Sequence, residues 1–240
     1  MLSKAQIKHI SALRAKKYRT EHEQFIVEGK KSVRELLQSE LKTEHIYYTQ
    51  EHAALESLKT TTNKSLLSSI EFGKISLQKN PEGVLALAYI PQKKDFRWEK
   101  KAYIALDSIR DPGNFGTIIR LADWFGADIL CSTDCVELYN PKVIQASMGS
   151  VFHINVHYVN LDEELNRSNL SIYAATLNGT SIYDLRPNLH GILVIGNEAR
   201  GISAEILATA QEKITIPNKG KAESLNAAMA CGILAAYLFK

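Results

Sequence analysis

At 240 residues with 45% apolar side chains, the chain holds enough hydrophobic material for one large domain or two smaller ones, which excludes a disordered protein. No apolar run approaches the roughly 20 residues of a membrane span, and Met1-Leu2-Ser3-Lys4 lacks the apolar core of a signal peptide, so a cytoplasmic protein with no membrane partner is expected. The net charge of +3 conceals an asymmetry: residues 1–101 carry 19 basic against 12 acidic side chains, net +7, and residues 102–240 carry 10 against 14, net −4.

The basic excess is clustered. Lys4, Lys8, Arg14, Lys16, Lys17 and Arg19 all precede the first acid, and Lys93, Lys94, Arg97, Lys100 and Lys101 surround Trp98. Clusters of this kind release counterions from a phosphate backbone, so a polyanionic partner fits them; a solvated surface would have the same composition. Cys131, Cys135 and Cys231 are odd in number and sit in apolar or mixed surroundings, as buried reduced thiols do. Cys131 and Cys135 lack a second Cys or His pair at zinc spacing, so no metal is expected.

In chain order, the pattern predicts a basic helix over 3–17, a strand at Phe25-Ile26-Val27, and a helix after Gly29 with Val33, Leu36 and Leu37 on one face. Strands are expected at Ile46-Tyr47-Tyr48 and over 83–90, with helical segments between. The charged, Pro-containing stretch from Pro91 to Lys101 reads as a linker, giving domains 1–95 and 102–240 joined by 96–101. From Ala102 strands alternate with helices: strands at 103–106, 128–131, 151–156, 172–176, 192–195 and 214–216, and helices at 114–125, 141–147, 203–211 and 224–239. Such alternation predicts an α/β fold with a parallel sheet covered on both faces, which binds ligands at the carboxyl ends of its strands.

Three segments carry chemistry. Asp107-Ser108-Ile109-Arg110-Asp111-Pro112-Gly113-Asn114-Phe115-Gly116 follows a strand, and its turn signal opens a helix with free backbone donors, Asn114 being a cap candidate. The glycines do not complete a dinucleotide fingerprint. Arg120 stands inside the apolar run Ile118 to Ala122, which a simple connection does not explain. Ile195-Gly196-Asn197-Glu198 with Gly201 and Ser203 imitates a phosphate loop but has Ile202 where the lysine belongs, and it sets one carboxylate at the sheet edge. Ile216-Pro217 followed by Glu223-Ser224-Leu225-Asn226 enters an Ala-rich helix, with Ser224 as the expected N-cap.

In this order the three segments resemble the SpoU branch of the SPOUT methyltransferases, the TrmH-like RNA ribose methyltransferases. The resemblance covers roughly residues 102–240 and includes Asn140-Pro141 and Ala146-Ser147-Met148-Gly149. It implies a trefoil knot around an S-adenosylmethionine pocket, with cofactor contacts from Thr176, Leu177, Gly179, Ile195, Gly196, Asn197, Gly201, Ile216, Pro217 and Leu225. It implies catalytic roles for Arg120, Asn114, Glu198, Ser224 and Asn226, and a homodimer packed through the last helix, where Ala228, Gly232, Ala235 and Ala236 permit close approach. A guanidinium stays protonated, so Arg120 reads as a phosphate clamp rather than a base, with the acceptor of the ribose proton unassigned. Phe25 to Gly29 and Pro81 to Ala86 are similar to the family's L30e-like accessory domain, an RNA-gripping module. Together these imply 2′-O-methylation of RNA, ribosomal more than transfer; the alternatives are transfer RNA as substrate or an RNA-binding protein without turnover.

Overall fold

The computed structural model describes residues 2–52, 62–93, 95–186 and 190–239. The chain forms two compact units, one from Met1–Lys94 with Glu137–His153 and one from Asp95–Val136 with Ile154–Lys240.

The first unit opens with α1 (Lys4–Ala12) and α2 (Lys16–His22), where the pattern predicts a single helix over 3–17. Ser3 and Gln6 start α1 with a reciprocal capping box. The break follows from Ala15, whose extended backbone ends the helical ladder, and from Arg19, whose Nη1 donates to the carbonyls of Leu13 and Arg14 at 2.7 and 2.8 Å. Arg19 is therefore 2% exposed. Its Nε donates to both Glu137 oxygens at 3.1 and 3.2 Å, and Nη2 adds a further bond to the same carboxylate. One of the six basic residues before the first acid is thus structural, and Arg14 donates to the Ser76 carbonyl at 2.6 Å.

Beyond the helices, β1 (Gln24–Glu28), α3 (Lys30–Gln38), β2 (Thr43–Tyr48), β3 (Asn63–Leu66), α4 (Ser69–Gly73) and β4 (Val84–Tyr89) build a four-stranded sheet in the order β1-β4-β2-β3. Antiparallel β4 runs between β1 and β2, and β3 pairs β2 in parallel. The short, half-polar β3 carries no alternation that sequence reading could detect. Every residue of β1 is buried. Its Glu28 has a pKa raised by burial, against hydrogen bonds from Ser76 and the Leu77 amide.

The second unit is built on β5 (Tyr103–Leu106), α5 (Pro112–Phe125), β6 (Asp128–Ser132), β7 (Val156–Val159), α7 (Leu161–Arg167), β8 (Ser171–Ser181), β9 (Gly191–Ile195), α8 (Ala204–Thr209), β10 (Glu212–Thr215) and α9 (Ala227–Leu238). Its strands form a six-stranded sheet in the order β10-β8-β9-β5-β6-β7, and every pairing is parallel. The near-continuous apolar strands β5, β6 and β9 are the interior of this sheet, buried on both faces. Between β6 and β7 the chain supplies α6 (Pro141–Ser147) to the first unit, capped by Asn140 through the Lys142 amide.

Some expectations shift. The strand predicted at 151–156 is a 3-10 turn at Ser150–Phe152, and β7 begins only at Val156. Met148 and Gly149, both at positive φ, turn the chain there, and a Cβ on Gly149 would come within 2.6 Å of Glu35. α7 lies where no helix is expected. Of the small residues read as a dimer face on α9, Ala228 and Ala235 are buried, and Gly232 accepts Leu121 of α5 at 3.3 Å from its Cβ position. They serve packing within the protomer; Met229, Ile233 and Ala236 face outward. The second basic cluster also differs: Lys101 is ion-paired to Asp128 and Glu99, and Trp98 packs edge-on against Phe96 and Tyr103. Lys94 lies outside the described residues. Cys131, Cys135 and Cys231 are free and buried, and burial pushes the Cys231 thiol up to about 12.

The Arg19–Glu137 pair ties the 137–153 segment into the first unit. Removing one partner strands a buried charge, so Glu137→Ala should cost about 3–5 kcal/mol, read as a shift in urea unfolding. Arg19→Met with Glu137→Leu should cost less, because no uncompensated charge remains.

Candidate functional site

Parallel pairing sends the carboxyl ends of β5, β8, β9 and β10 to one edge of the sheet. The segments following those strands, with the start of α9, make up the candidate site.

After β5, Asp111 caps α5 by accepting from the Asn114 amide at 2.7 Å, and Pro112 occupies the first turn. The cap is thus Asp111 rather than Asn114, and the Asn114 side chain is released for other work. At the start of α9 the N-cap is Asn226 rather than Ser224: its Oδ1 accepts from the Ala228 and Met229 amides at 3.0 and 3.2 Å.

That cap orients a chain of side chains. With Oδ1 committed to the helix, the Asn226 amide must point its Nδ2 at Asn114, and it donates to Asn114 Oδ1 at 2.7 Å. Asn114 Nδ2 in turn donates to Glu198 Oε1 at 2.7 Å. The network fixes both amide orientations, and it ends on a carboxylate that is exposed. Three of the five expected catalytic residues, from three separate segments, are brought together. Ser224 is exposed in the loop before α9. Arg120 is exposed on α5, and its guanidinium has no hydrogen-bond or ion-pair partner among the described residues. Six residues beyond Asn114, it lies about 120° around the helix from it.

The loop after β9 is held by its own backbone. Asn197 and Gly201 exchange both main-chain hydrogen bonds, at 3.0 and 2.9 Å, and Asn197 Oδ1 accepts from the Ala199 and Arg200 amides. Asn197 Nδ2 donates to the Ser108 carbonyl at 2.8 Å, tying this loop to the one after β5. Neither Asn197 nor Gly201 retains a free main-chain N–H, so both shape the loop. Gly196 is compulsory: a Cβ there would stand 2.3 Å from the Gly201 carbonyl carbon and 2.4 Å from the Ile202 nitrogen.

Thr176, Leu177 and Gly179 lie in an excursion of β8. Lys213 pairs with Ala174 while the next residue, Ile214, pairs with Thr180, so Ala175 to Gly179 leave the regular ladder. Thr215 Oγ1 donates to the Leu177 carbonyl at 3.1 Å, and a Cβ on Gly179 would meet the Lys213 carbonyl at 2.5 Å. Ile195 ends β9, accepting from the Asp107 amide, Ile216 and Pro217 directly follow β10, and Leu225 is exposed just before the Asn226 cap.

Two supporting groups escape sequence reading. Asp107, 5% exposed, accepts from the Ser203 amide at 2.7 Å and so joins the β5 and β9 loops. Asp134 accepts from Ser108, Ser132 and Arg110, which holds Ser108 at a positive φ of 59°. Burial raises the Asp134 pKa, but those three hydrogen bonds outweigh it and hold the carboxyl at about 2. A serine after a strand and an aspartate some 25 residues on leave no periodic signal.

Residues 101–236 match the SpoU rRNA Methylase family and residues 4–86 the MRM3-like substrate binding domain. The chain is 31% identical to the 23S rRNA (guanosine(2553)-2′-O)-methyltransferase RlmP of Bacillus subtilis, over 97% of this chain and 95% of that one. Among solved structures, a TrmH-family protein from Porphyromonas gingivalis superposes with a TM-score of 0.88 at 36% identity, covering 99% and 98% of the two chains. The AdoMet-bound rRNA methyltransferase of Sinorhizobium meliloti does so with 0.86 at 29%, covering 99% and 96%. The chain belongs to the SpoU rRNA methylase family.

Two outcomes test the site's construction. Gly196→Ala should lower stability by about 1–3 kcal/mol and speed hydrogen exchange at the Asn197 and Gly201 amides, since the obstruction is backbone. Because Asp134 has a lowered pKa in the fold, its contribution to stability is present above the ordinary carboxylate range and fades as pH falls toward 2. Asp134→Asn should therefore flatten the acid side of a plot of unfolding midpoint against pH.

Proposed function

We propose that this protein transfers a methyl group from S-adenosylmethionine to a ribose 2′-hydroxyl of ribosomal RNA. The observation that carries the reading is the oriented chain from Asn226 through Asn114 to Glu198 at the carboxyl edge of a parallel sheet. The activity printed for the Bacillus subtilis relative and the cofactor of the Sinorhizobium meliloti neighbour support it, and they favour ribosomal over transfer RNA.

The residues present fit the cofactor. Gly196 and Gly179 sit where backbone meets backbone too closely for any side chain, and the segments that follow β10 and precede α9 carry the partly exposed Ile216 and the exposed Leu225. This suits an adenosyl group held by main-chain atoms and packed against aliphatic walls. The bound cofactor supplies an electrophilic methyl on a sulfonium. A ribose hydroxyl is a weak nucleophile at neutral pH, so the protein must orient it and relieve it of its proton. Asn114 and Asn226 present amide groups to the sugar, with Glu198 as the carboxylate of the set and Ser224 on the adjoining loop. Arg120, exposed and unpartnered among the described residues, is the phosphate clamp.

After β10, at the edge, the chain returns through residues 216–226 so that α9 packs on α5 and β9; this return supports the trefoil knot. The exposed Met229 and Ile233, one helical turn apart on α9, support a homodimer through that helix. The substrate-binding match over residues 4–86 supports an L30e-like RNA-gripping domain in the first unit, which also takes in 137–153, while residues 95–101, expected as a linker, belong to the second, methyltransferase unit. No helix among the described residues is long and apolar enough to cross a membrane, and the likeness to the Bacillus subtilis enzyme supports a cytoplasmic location.

Incubation with labelled S-adenosylmethionine and ribosomal RNA, followed by mapping of 2′-O-methyl sites, tests the reading; absence of label transfer would favour an RNA-binding protein without turnover. Arg120→Ala should reduce methyl transfer at least a hundredfold while calorimetry shows cofactor affinity nearly intact. Equal loss of both would reassign Arg120.

A further inference from the structure

The first unit carries an aromatic surface that the methyl-transfer site does not use. Tyr18 and His22, one turn apart on α2, lie with their rings within 12° of parallel at 6.4 Å, and His9 of α1 meets His22 edge-on at 4.7 Å. Tyr18 is 39% exposed, His22 is exposed and His9 half-buried. Apolar packing does not account for three rings gathered where two of them are exposed.

The surface is preformed. Gln24 Nε2 donates to Glu44, so Gln24 Oε1 faces His9 and accepts from its Nε2 at 2.7 Å. That assigns a proton to His9 Nε2 and fixes the plane of its ring. The corner between α1 and α2 is held by Arg19, which is bonded to the carbonyls of Leu13 and Arg14 and clamped by Glu137. Tyr18 therefore precedes one of the most constrained side chains in the unit. Little ordering entropy remains to be lost when a ligand stacks here.

The charges around the rings select the partner. Lys17 Nζ stands 5.8 Å from the Tyr18 ring centre, and Lys8 and Lys16 are exposed on the same two helices. Glu21 and Glu23 beside His22 are the nearest acids in sequence and are also exposed. Rings that offer a face to a base, flanked by lysines that meet phosphate, are the means by which proteins hold unpaired nucleic acid, whereas an A-form duplex hides its base faces.

We propose that Tyr18, His22 and His9, with Lys8, Lys16 and Lys17, form a stacking surface for unpaired bases of the RNA substrate. The proposal rests on the RNA-methyltransferase reading and adds to it where on the first unit the RNA is gripped, and in which form. A single-stranded loop or bulge of the substrate is the segment this surface would hold.

The test uses the full-length protein with a fluorescein-labelled 12-nucleotide oligouridylate and a duplex RNA of equal length, read by fluorescence anisotropy. Tyr18→Ala with His22→Ala should weaken the single strand about tenfold or more and the duplex by less than threefold. Tyr18→Phe should retain single-strand binding, because the face rather than the hydroxyl is used. Lys16→Ala with Lys17→Ala should weaken both RNAs and lower the slope of log affinity against log salt by about 1 to 2. S-adenosylmethionine affinity, measured by calorimetry, reports whether each variant is folded. Wild-type affinity for the single strand in the double alanine variant overturns the proposal, as does an equal loss for single strand and duplex. If ribosomal RNA is not methylated by the wild type yet oligouridylate binding depends on these rings, the stacking surface stands and the methyltransferase reading falls. Methylation with an unchanged KM for RNA in the double alanine variant has the opposite meaning.

Discussion

Every strand of the second unit runs parallel to its neighbours, and the site is a consequence of that constraint. Parallel strands cannot be joined by tight hairpins, so each connection crosses the face of the sheet and each strand delivers its carboxyl end to the same edge. Asn114, Glu198 and Asn226 are separated by up to 112 residues in sequence, yet one edge collects them. Apolar strands buried on both faces supply the driving force. The polar residues gather where the strands stop, because there the backbone leaves the ladder and needs partners.

Helix capping then converts proximity into orientation. The four orphan amides at a helix start demand acceptors, and at α9 the demand is met by Asn226 Oδ1. Once that oxygen is engaged, the direction of every later hydrogen bond in the chain follows, ending at Glu198. Asp111 does the complementary service at α5, freeing the Asn114 side chain from capping. The bond from Asp107 to the Ser203 amide and that from Asn197 to the Ser108 carbonyl lock the two loops that carry these groups. Positioning thus depends on helix termini and buried carbonyls more than on the exposed residues that would meet a substrate.

In the first unit, one buried cation has the corresponding role. Arg19 satisfies two carbonyls left by the end of α1 and closes on Glu137, a residue contributed from between β6 and β7. The unit is consequently discontinuous in sequence, and its basic face consists of the lysines that Arg19 leaves outside. An arginine that appears in sequence as one member of a positive cluster is, in the structure, the anchor on which the cluster is mounted.

Much of the architecture was legible in the residues alone. Apolar runs bounded by turns mark β5, β6 and β9; Asp-Pro-Gly-Asn marks the entry to α5; and the family motifs name Asn114, Glu198 and Asn226 together. These signals are local, and local signals survive in one dimension. The excursion of β8, the 3-10 turn before β7, the short strand β3 and the helix α7 were not legible, because each depends on a neighbour distant in the chain or is too short for a period to show. The sequence by itself determined the long apolar strands and helices of the second unit and which residue types wait at their ends. Only the tertiary structure decided that Asn226 rather than Ser224 caps α9, that Arg19 is buried rather than offered to a polyanion, and that Gly196 tolerates no side chain. Those outcomes turn on competition for the same hydrogen bonds and the same space, and competition among distant groups is settled only when the chain has folded.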